Sequence, residues 1–323
     1  MRYRLIEVGL LALAVTLLAS ACGRDQEGGE TPAAATSSNL SGRIEADGSS
    51  TVGPFTTAAA ELFQEQNPGV QVTVGISGTG GGFERFCAGE TDLSDASRPI
   101  KDDEEAPVCK KNGVEYTELH VATDALTVVV NKDNDWVDCL TVDQLKMIWE
   151  PGAEKKITSW SQVDSSFPDE KLALAGPGTD SGTFDYFTDE IVGEEGASRS
   201  DYQASEDDNT IVQAVAGERG GLGYFGFSYF EANQDTLKAV AVDSGGGCVE
   251  PSVETAQNGE YTPLSRPLFV YVKKESLARR EVEAFVGYML DNARPIAETA
   301  QFVPLNESQL AESQASLREA MAG

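Results

Sequence analysis

Three short segments combine glycine with hydroxyl residues: Gly48-Ser49-Ser50-Thr51-Val52, Ser77-Gly78-Thr79-Gly80 and Thr179-Asp180-Ser181-Gly182-Thr183. Each follows a strand-like run and leads into a helix-like one. A turn in that position presents free backbone N–H groups at the positive end of a helix dipole. Glycine admits close approach of a ligand, and Ser/Thr hydroxyls add donors. Three such turns converging on one point would wrap a small tetrahedral oxyanion. Arg98, between Ser97 and Pro99, adds a planar, forked cation that suits such an anion better than a lysine point charge. Taken singly, each turn is also what an ordinary N-cap looks like. Their number shifts the reading to an anion site.

Other chemistries fit poorly. His120 is the single histidine, which excludes a multi-histidine metal centre and leaves no base positioned for hydrolysis. Gly75-Ile76-Ser77-Gly78-Thr79 fails the Gly-x-Ser-x-Gly elbow at its last position. Gly221-Leu222-Gly223-Tyr224-Phe225-Gly226 spells a dinucleotide fingerprint, but it lies within an aromatic strand-like run and opens no helix. Asp133-Asn134-Asp135 lacks the glycine and terminal glutamate of a calcium loop. No Gly-Lys pair exists for a phosphate loop of the Walker type. The 24 Lys+Arg against 53 Asp+Glu give a formal charge of −29, which excludes a nucleic-acid partner. Such a charge also offers an anion no long-range attraction, so a site here must act through local hydrogen bonds. Neither a metal nor a cofactor is implied.

The elements that must position these turns alternate along the chain. Strand signals fall at 43–46, 70–76, 92–97, 126–130, 172–175, 220–227 and 268–272. Helix signals fall at 56–66, 83–88, 142–149, 184–190, 209–216 and 280–290. This alternation predicts an α/β fold with largely parallel sheets, in a length suited to two domains.

Ahead of that body, Arg2 and Arg4 precede an apolar stretch at 8–19 that ends in Ser20-Ala21-Cys22. The pattern predicts a lipoprotein signal peptide over 1–21, with Cys22 left first and lipid-modified. Residues 22–41 are poor in large apolar side chains and read as a flexible tether. The expected location is extracytoplasmic, lipid-anchored to the cell membrane. Four cysteines remain: Cys87, Cys109, Cys139 and Cys248. An even number in an exported chain suggests two disulfides. Of three possible pairings, Cys87–Cys109 closes a short loop and Cys139–Cys248 ties distant segments; that pairing is expected.

GSSTV, SGTGGGF, DASRPI, DSGTFDYF and GLGYFGFSYF, in this order behind a lipobox, resemble the phosphate-binding lipoprotein family of bacterial phosphate ABC transporters (PstS/SphX-like). The resemblance covers essentially the whole body from Gly42. It implies a class II periplasmic-binding-protein fold: two α/β lobes, two crossover strands and the ligand in the interlobe cleft. Lobe one would be 42–121 plus 263–323 and lobe two 122–262, with crossings near 120–124 and 262–264. It implies a monomer that captures inorganic phosphate and hands it to membrane permease subunits, and no enzyme. Carried over by motif, the ligand set is Ser50, Thr51, Val52, Ser77, Gly78, Ser181, Gly182 and Thr183. Two departures stand out. Gly176-Pro177-Gly178-Thr179 lacks the arginine many relatives carry there, and Ser97 replaces an aspartate. Ser97 is kept in the expected ligand set, and Arg98 next door is the expected substitute cation, with the cationic partner moved from lobe two to lobe one. Asp180, then Asp95, are the candidate acids for reading a phosphate proton. The alternatives are another tetrahedral oxyanion such as sulfate, an extracytoplasmic phosphatase or esterase, and a structural surface lipoprotein.

Overall fold

The computed structural model describes residues 40–322 apart from Asp180. The leader, Cys22, nearly all of the tether and the candidate acid Asp180 lie outside the described residues. The chain starts with β1 (Gly42–Gly48), α1 (Gly53–Gln66), β2 (Val70–Ile76), α2 (Gly78–Cys87), β3 (Leu93–Ala96) and α3 (Ala106–Lys111). The long β4 (Tyr116–Asn131) follows. Then come β5 (Cys139–Thr141), α4 (Val142–Trp149), β6 (Ala173–Pro177), α5 (Gly182–Phe187), β7 (Gln203–Ser205) and α6 (Asp208–Gly217). After β8 (Gly221–Gly226), α7 (Phe227–Ala232), β9 (Leu237–Ala239), β10 (Ala241–Asp243), β11 (Cys248–Val249) and α8 (Val253–Gln257), the chain returns through β12 (Ser265–Lys273). It ends in α9 (Arg280–Asp291), α10 (Ala293–Thr299) and α11 (Glu307–Ala322).

One sheet of nine strands, ordered β2-β1-β3-β12-β4-β8-β6-β7 with β9 also on β4, runs through both lobes. Its flanks are parallel, as the alternation predicts: β1 with β2 and β3, and β6 with β7 and β8. Its centre is antiparallel, because β4 and β12 cross between lobes in opposite directions. Sequence reading found only the second half of β4. Thr117, Glu118, His120, Thr123 and Asp124 interrupt the apolar pattern in the first half, where the strand pairs with β12. Partners change from β12 to β8 between Ala125 and Leu126. Val121 has no counterpart on β12, a bulge that bends the crossing strand.

Each lobe has its own core. Phe55, Phe63, Phe285 and Met289 pack α1 and α9 on the first half of the sheet, with the Phe63 and Phe285 rings 5.4 Å apart. Trp149, Phe187 and Tyr224 fill the second, where Phe187 stacks on Tyr224 at 3.7 Å. Cys87 is joined to Cys109 and Cys139 to Cys248, the expected pairing. The first disulfide ties the end of α2 to α3.

Glycine is required where α2 meets β1. A Cβ on Gly82 would stand 2.5 Å from the Gly48 Cα, and one on Gly48 (φ 148°) would fall on the Asp95 carbonyl. The glycine run therefore lets a helix start against a strand end, which brings two of the three turns together.

Asp95 lies beneath the first of those turns. Its carboxylate is fully buried and accepts a 2.7 Å hydrogen bond from Thr56 of α1, while its backbone carbonyl accepts from the Ser49 amide. It does not line the cleft, so it is not the acid sought from sequence. Burial, reinforced by nearby Asp47 and opposed by Thr56, pushes its pKa up to about 7. The folded pKa exceeds the unfolded one. The fold therefore binds this proton more tightly, and stability drains as pH rises from about 4 through 7. In Asp95→Asn, the change in unfolding free energy between pH 5 and pH 8 should shrink by roughly 2–3 kcal/mol. Urea melts at the two pH values check this; an unchanged difference would count against it.

Candidate functional site

A cavity of about 500 Å³ lies where strand-to-helix turns of both lobes face one another. Its walls include Ser49, Ser50 and Thr51 from the first turn and Gly78, Thr79 and Gly80 from the second. Ser97, Arg98 and Pro99 follow β3. Gly182, Asp185 and Tyr186 come from α5, and Arg266 comes from β12. A Cβ on Gly182 would stand 3.4 Å from Thr51 Oγ1 and 3.8 Å from Ser50 Oγ, so the first and third turns meet across the cleft.

The first turn organises itself. The Ser49 amide donates to the Asp95 carbonyl, and the Ser49 hydroxyl accepts from the Thr51 and Val52 amides at 3.2 and 3.4 Å. That leaves Ser50 and Thr51 hydroxyls lining the cavity. Val52, expected as an amide donor, is corrected: its amide serves Ser49 and its side chain is in the core. In the second turn, Ser77 is exposed, its amide donates to the Gly48 carbonyl, and it does not line the cavity. Gly78, in the left-handed region at φ 78°, opens α2 and places the first amides of that helix at the wall. Thr79 was missed from sequence. Its hydroxyl accepts from the Ser97 amide at 3.2 Å and meets the Ser97 hydroxyl at 3.0 Å. In the third turn, the Ser181 hydroxyl accepts from the Thr183 amide as an N-cap. Of the described residues of that turn, Gly182 lines the cavity and Ser181 and Thr183 do not.

Arg98 lines the cavity but is already engaged. Its guanidinium makes a forked pair with Glu105, at 2.9 and 2.7 Å, and lies 5.7 Å from the Phe83 ring centroid. Glu105 holds Arg98 further above its ordinary range, by hydrogen bond first. Arg266 is the cation that sequence reasoning missed. It sits directly opposite Asp124 in the β4–β12 register, and its Nε donates to Asp124 Oδ2 at 3.2 Å. Its Nη2 donates to Thr51 Oγ1 at 2.9 Å, and its plane lies 3.6 Å from the centroid of the Tyr186 ring. The Tyr186 hydroxyl in turn donates to the Pro263 carbonyl at 2.6 Å. A cation on one crossing strand is thus fixed by the other crossing strand, by lobe one and by lobe two. Arg266 so held lines the cavity. With Arg266 so placed, Thr51 Oγ1 has an acceptor role filled and its own O–H free to donate.

One signal could have found it. Ser-Arg-Pro occurs twice, at 97–99 and 265–267, and both arginines line the cavity. An aspartate, Asp124, interrupts the apolar run opposite the second of them.

The acids of the cavity are Asp185, Asp189, Glu190 and Glu195. Burial raises Asp185, and Arg266 pulls it back down; burial and then Asp189 raise Glu190. Asp185 was not singled out from sequence. It stands one helical turn after the Ser-Gly-Thr donors, on the face that carries Gly182. Among the described residues, no group of three or more His, Cys, Asp or Glu is placed to hold a metal. His120 is on β4, its ring 5.6 Å from Phe269, with its pKa lowered by burial, and it does not reach the cavity. The arrangement can hold a small oxyanion through hydroxyls, helix-start amides and one clamped guanidinium. Among the described lining residues there is no histidine, cysteine or lysine.

Two lobes that share a sheet and meet around a donor-lined cleft define a solute-binding protein. The sequence profile of the PBP superfamily domain matches residues 33–293. Protein SphX of Synechococcus elongatus is 53 % identical over 263 residues, 81 % of this chain and 77 % of that relative. The phosphate-binding protein PstS of Staphylococcus saprophyticus is 40 % identical over 311 residues, 96 % and 92 % of the two chains. The crystal structure of a possible phosphate-binding protein from Planctomyces limnophilus superposes with a TM-score of 0.82 at 45 % identity, covering 87 % of this chain and 99 % of that one. The chain belongs to the PBP superfamily and, within it, to the family of SphX and PstS.

Proposed function

We propose that this protein captures inorganic phosphate outside the cytoplasm and delivers it to the permease of an ABC transporter. The observation that carries the reading is Arg266, clamped by Asp124, Tyr186 and Thr51 at a cavity walled by turns of both lobes. The similarity to PstS and to a possible phosphate-binding protein supports it. Ser50, Thr51, the α2 amides from Gly78 onward, Ser97, Gly182 and Arg266 hold the anion, with Ser181, Thr183 and Arg98 in support. Binding energy comes from short, charge-assisted hydrogen bonds, since a chain of charge −29 repels the ligand at range. Cys22 carries the lipid anchor, the body acts as a monomer, and the lobes divide at 42–121 plus 263–323 and 122–262.

Phosphate is favoured over sulfate because Asp185 faces the cavity and can accept the proton that phosphate retains near neutral pH. Calorimetry should show micromolar or tighter phosphate binding that survives a thousand-fold excess of sulfate. Tryptophan fluorescence should follow the same titration, since Trp149 packs 5.8 Å from Phe187, the neighbour of Tyr186 on α5. Displacement by sulfate at that excess, or no heat and no optical change with phosphate, would remove the reading.

A further inference from the structure

A second cavity, of about 510 Å³, shares no residue with the first. It lies along a seam between elements of the two lobes. One side is Phe227, Ser228 and Glu231 of α7 with Val253 and Gln257 of α8. The other is Arg294 and Glu298 of α10 and the segment 301–307 that leads into α11. Three side-chain hydrogen bonds cross or buttress this seam. Ser228 Oγ donates to the Gln301 carbonyl at 3.2 Å, Gln257 Nε2 to the Pro304 carbonyl at 2.6 Å, and Gln309 Nε2 to the Gln257 carbonyl at 2.8 Å.

The acceptors on this seam are held in place. Gln301 closes α10 in the left-handed region at φ 64°, a position where glycine is usual, and the Phe302 amide completes that cap on the Ala297 carbonyl. Val303 exchanges two backbone hydrogen bonds with Thr123, the residue before Asp124 on the crossing strand. A small apolar cluster of Ala125, Phe227, Ala256 and Val303 lies under the bonds. The seam is thus anchored to the hinge strand one residue from the ion pair that fixes Arg266.

The ligand cleft must open to admit and release an anion, and the lobes connect through β4 and β12. Any motion of one lobe against the other about those strands must stretch or shift the seam. The cleft walls touch in this structure, with Gly182 of one wall beside Thr51 and Ser50 of the other, and Arg266 bonded to Thr51 while stacked on Tyr186. The seam bonds are therefore made in the closed arrangement; they weight the closed population and reach the ligand only through it.

We infer that this seam is a closing latch, in which Ser228, Gln257 and Gln309 set how long the cleft stays shut without touching the ligand. The inference rests on the phosphate-binding reading for its kinetic readout. Losing one such bond should weaken phosphate binding about three- to ten-fold, carried by faster release with an unchanged association rate. The experiment is stopped-flow fluorescence and calorimetry with inorganic phosphate on wild type, Ser228→Ala, Gln257→Ala and Gln309→Ala, with thermal melts to confirm folding. Small-angle scattering of each without phosphate should show a more expanded average for the variants. Ser228→Ala removes a single oxygen and keeps the test valid if Gln257→Ala fails to fold. Variants that release phosphate at the wild-type rate, or more slowly, overturn the latch. If wild type binds no phosphate, the ligand reading fails by itself. Scattering then decides the latch alone: expansion in the variants supports it, and unchanged dimensions overturn it.

Discussion

Arg266→Ala should weaken phosphate binding by about 30- to 5,000-fold, the loss expected when one member of a buried, hydrogen-bonded charge pair is truncated at about 2–5 kcal/mol. Arg266 is mostly buried, at 19 % side-chain exposure, and three groups hold its plane before any ligand arrives. A pre-positioned guanidinium loses little freedom on binding, so most of its interaction appears as affinity. Arg98 differs. Its fork is already filled by Glu105 at the rim, and a ligand must displace that carboxylate to use it. Arg98→Ala should therefore change affinity by no more than about five-fold, within the range of a part-exposed pair. The truncation of Arg266 also strands Asp124, whose pKa burial already raises against the pull of Arg266. Arg266→Ala alone is therefore expected to lower stability as well. The double variant Arg266→Ala, Asp124→Asn separates the effects: it should recover stability and not affinity. Calorimetry beside urea melts measures both. Equal losses from Arg98→Ala and Arg266→Ala would sink the assignment.

Sequence singled out Arg98 and passed over Arg266, although both line the cavity. The turns were legible because their residue types answer to local backbone demands: glycine where φ is positive or a strand presses close, hydroxyls at helix starts. Gly78 and Gly82 show the first, and Ser49 and Ser181 the second. Of the donors expected in those turns, Val52 and Thr183 give their amides to the Ser49 and Ser181 hydroxyls, and Ser77 is exposed. Arg266 is a matter of register. Nothing within a few residues of it says that β12 lies antiparallel to β4 with Asp124 directly opposite. The polar first half of β4 hid the partner strand, and with it the pair. Lobe alternation and both disulfides were readable, because strand–helix periodicity and cysteine count are properties of the chain itself. The seam between α7, α8 and the segment before α11 was not, because it is built from glutamine and serine side chains bonding to distant backbone.

Asp185→Asn should change the protein from one that ignores sulfate to one that binds it. Near neutral pH phosphate carries at least one proton and sulfate none. An ionised carboxylate at the cavity wall accepts that proton in a hydrogen bond, whereas facing sulfate it meets only another acceptor of like charge. Sites built on such a pairing discriminate by ~10⁴–10⁵. Asp185 has the required setting: it lines the cavity, burial raises its pKa, and Arg266 pulls it back toward the ionised form. Asp95, the acid in reach from sequence, is buried under Thr56 and cannot serve. An asparagine keeps the shape and offers an N–H to a fully deprotonated oxyanion. Sulfate affinity should then rise by at least ~100-fold, and phosphate should lose about ten-fold, one hydrogen bond to a charged group. The pH dependence has a fixed sign. As pH falls through the raised pKa of Asp185, the carboxyl gains a proton and becomes a donor itself, so wild-type discrimination against sulfate should narrow in acid and be full once the carboxyl is ionised. Asp185→Asn should show no such narrowing. Competition calorimetry with phosphate and sulfate from pH 5 to pH 8 tests both statements. A variant that still rejects sulfate, with wild-type phosphate affinity, would show that the proton is read by another group.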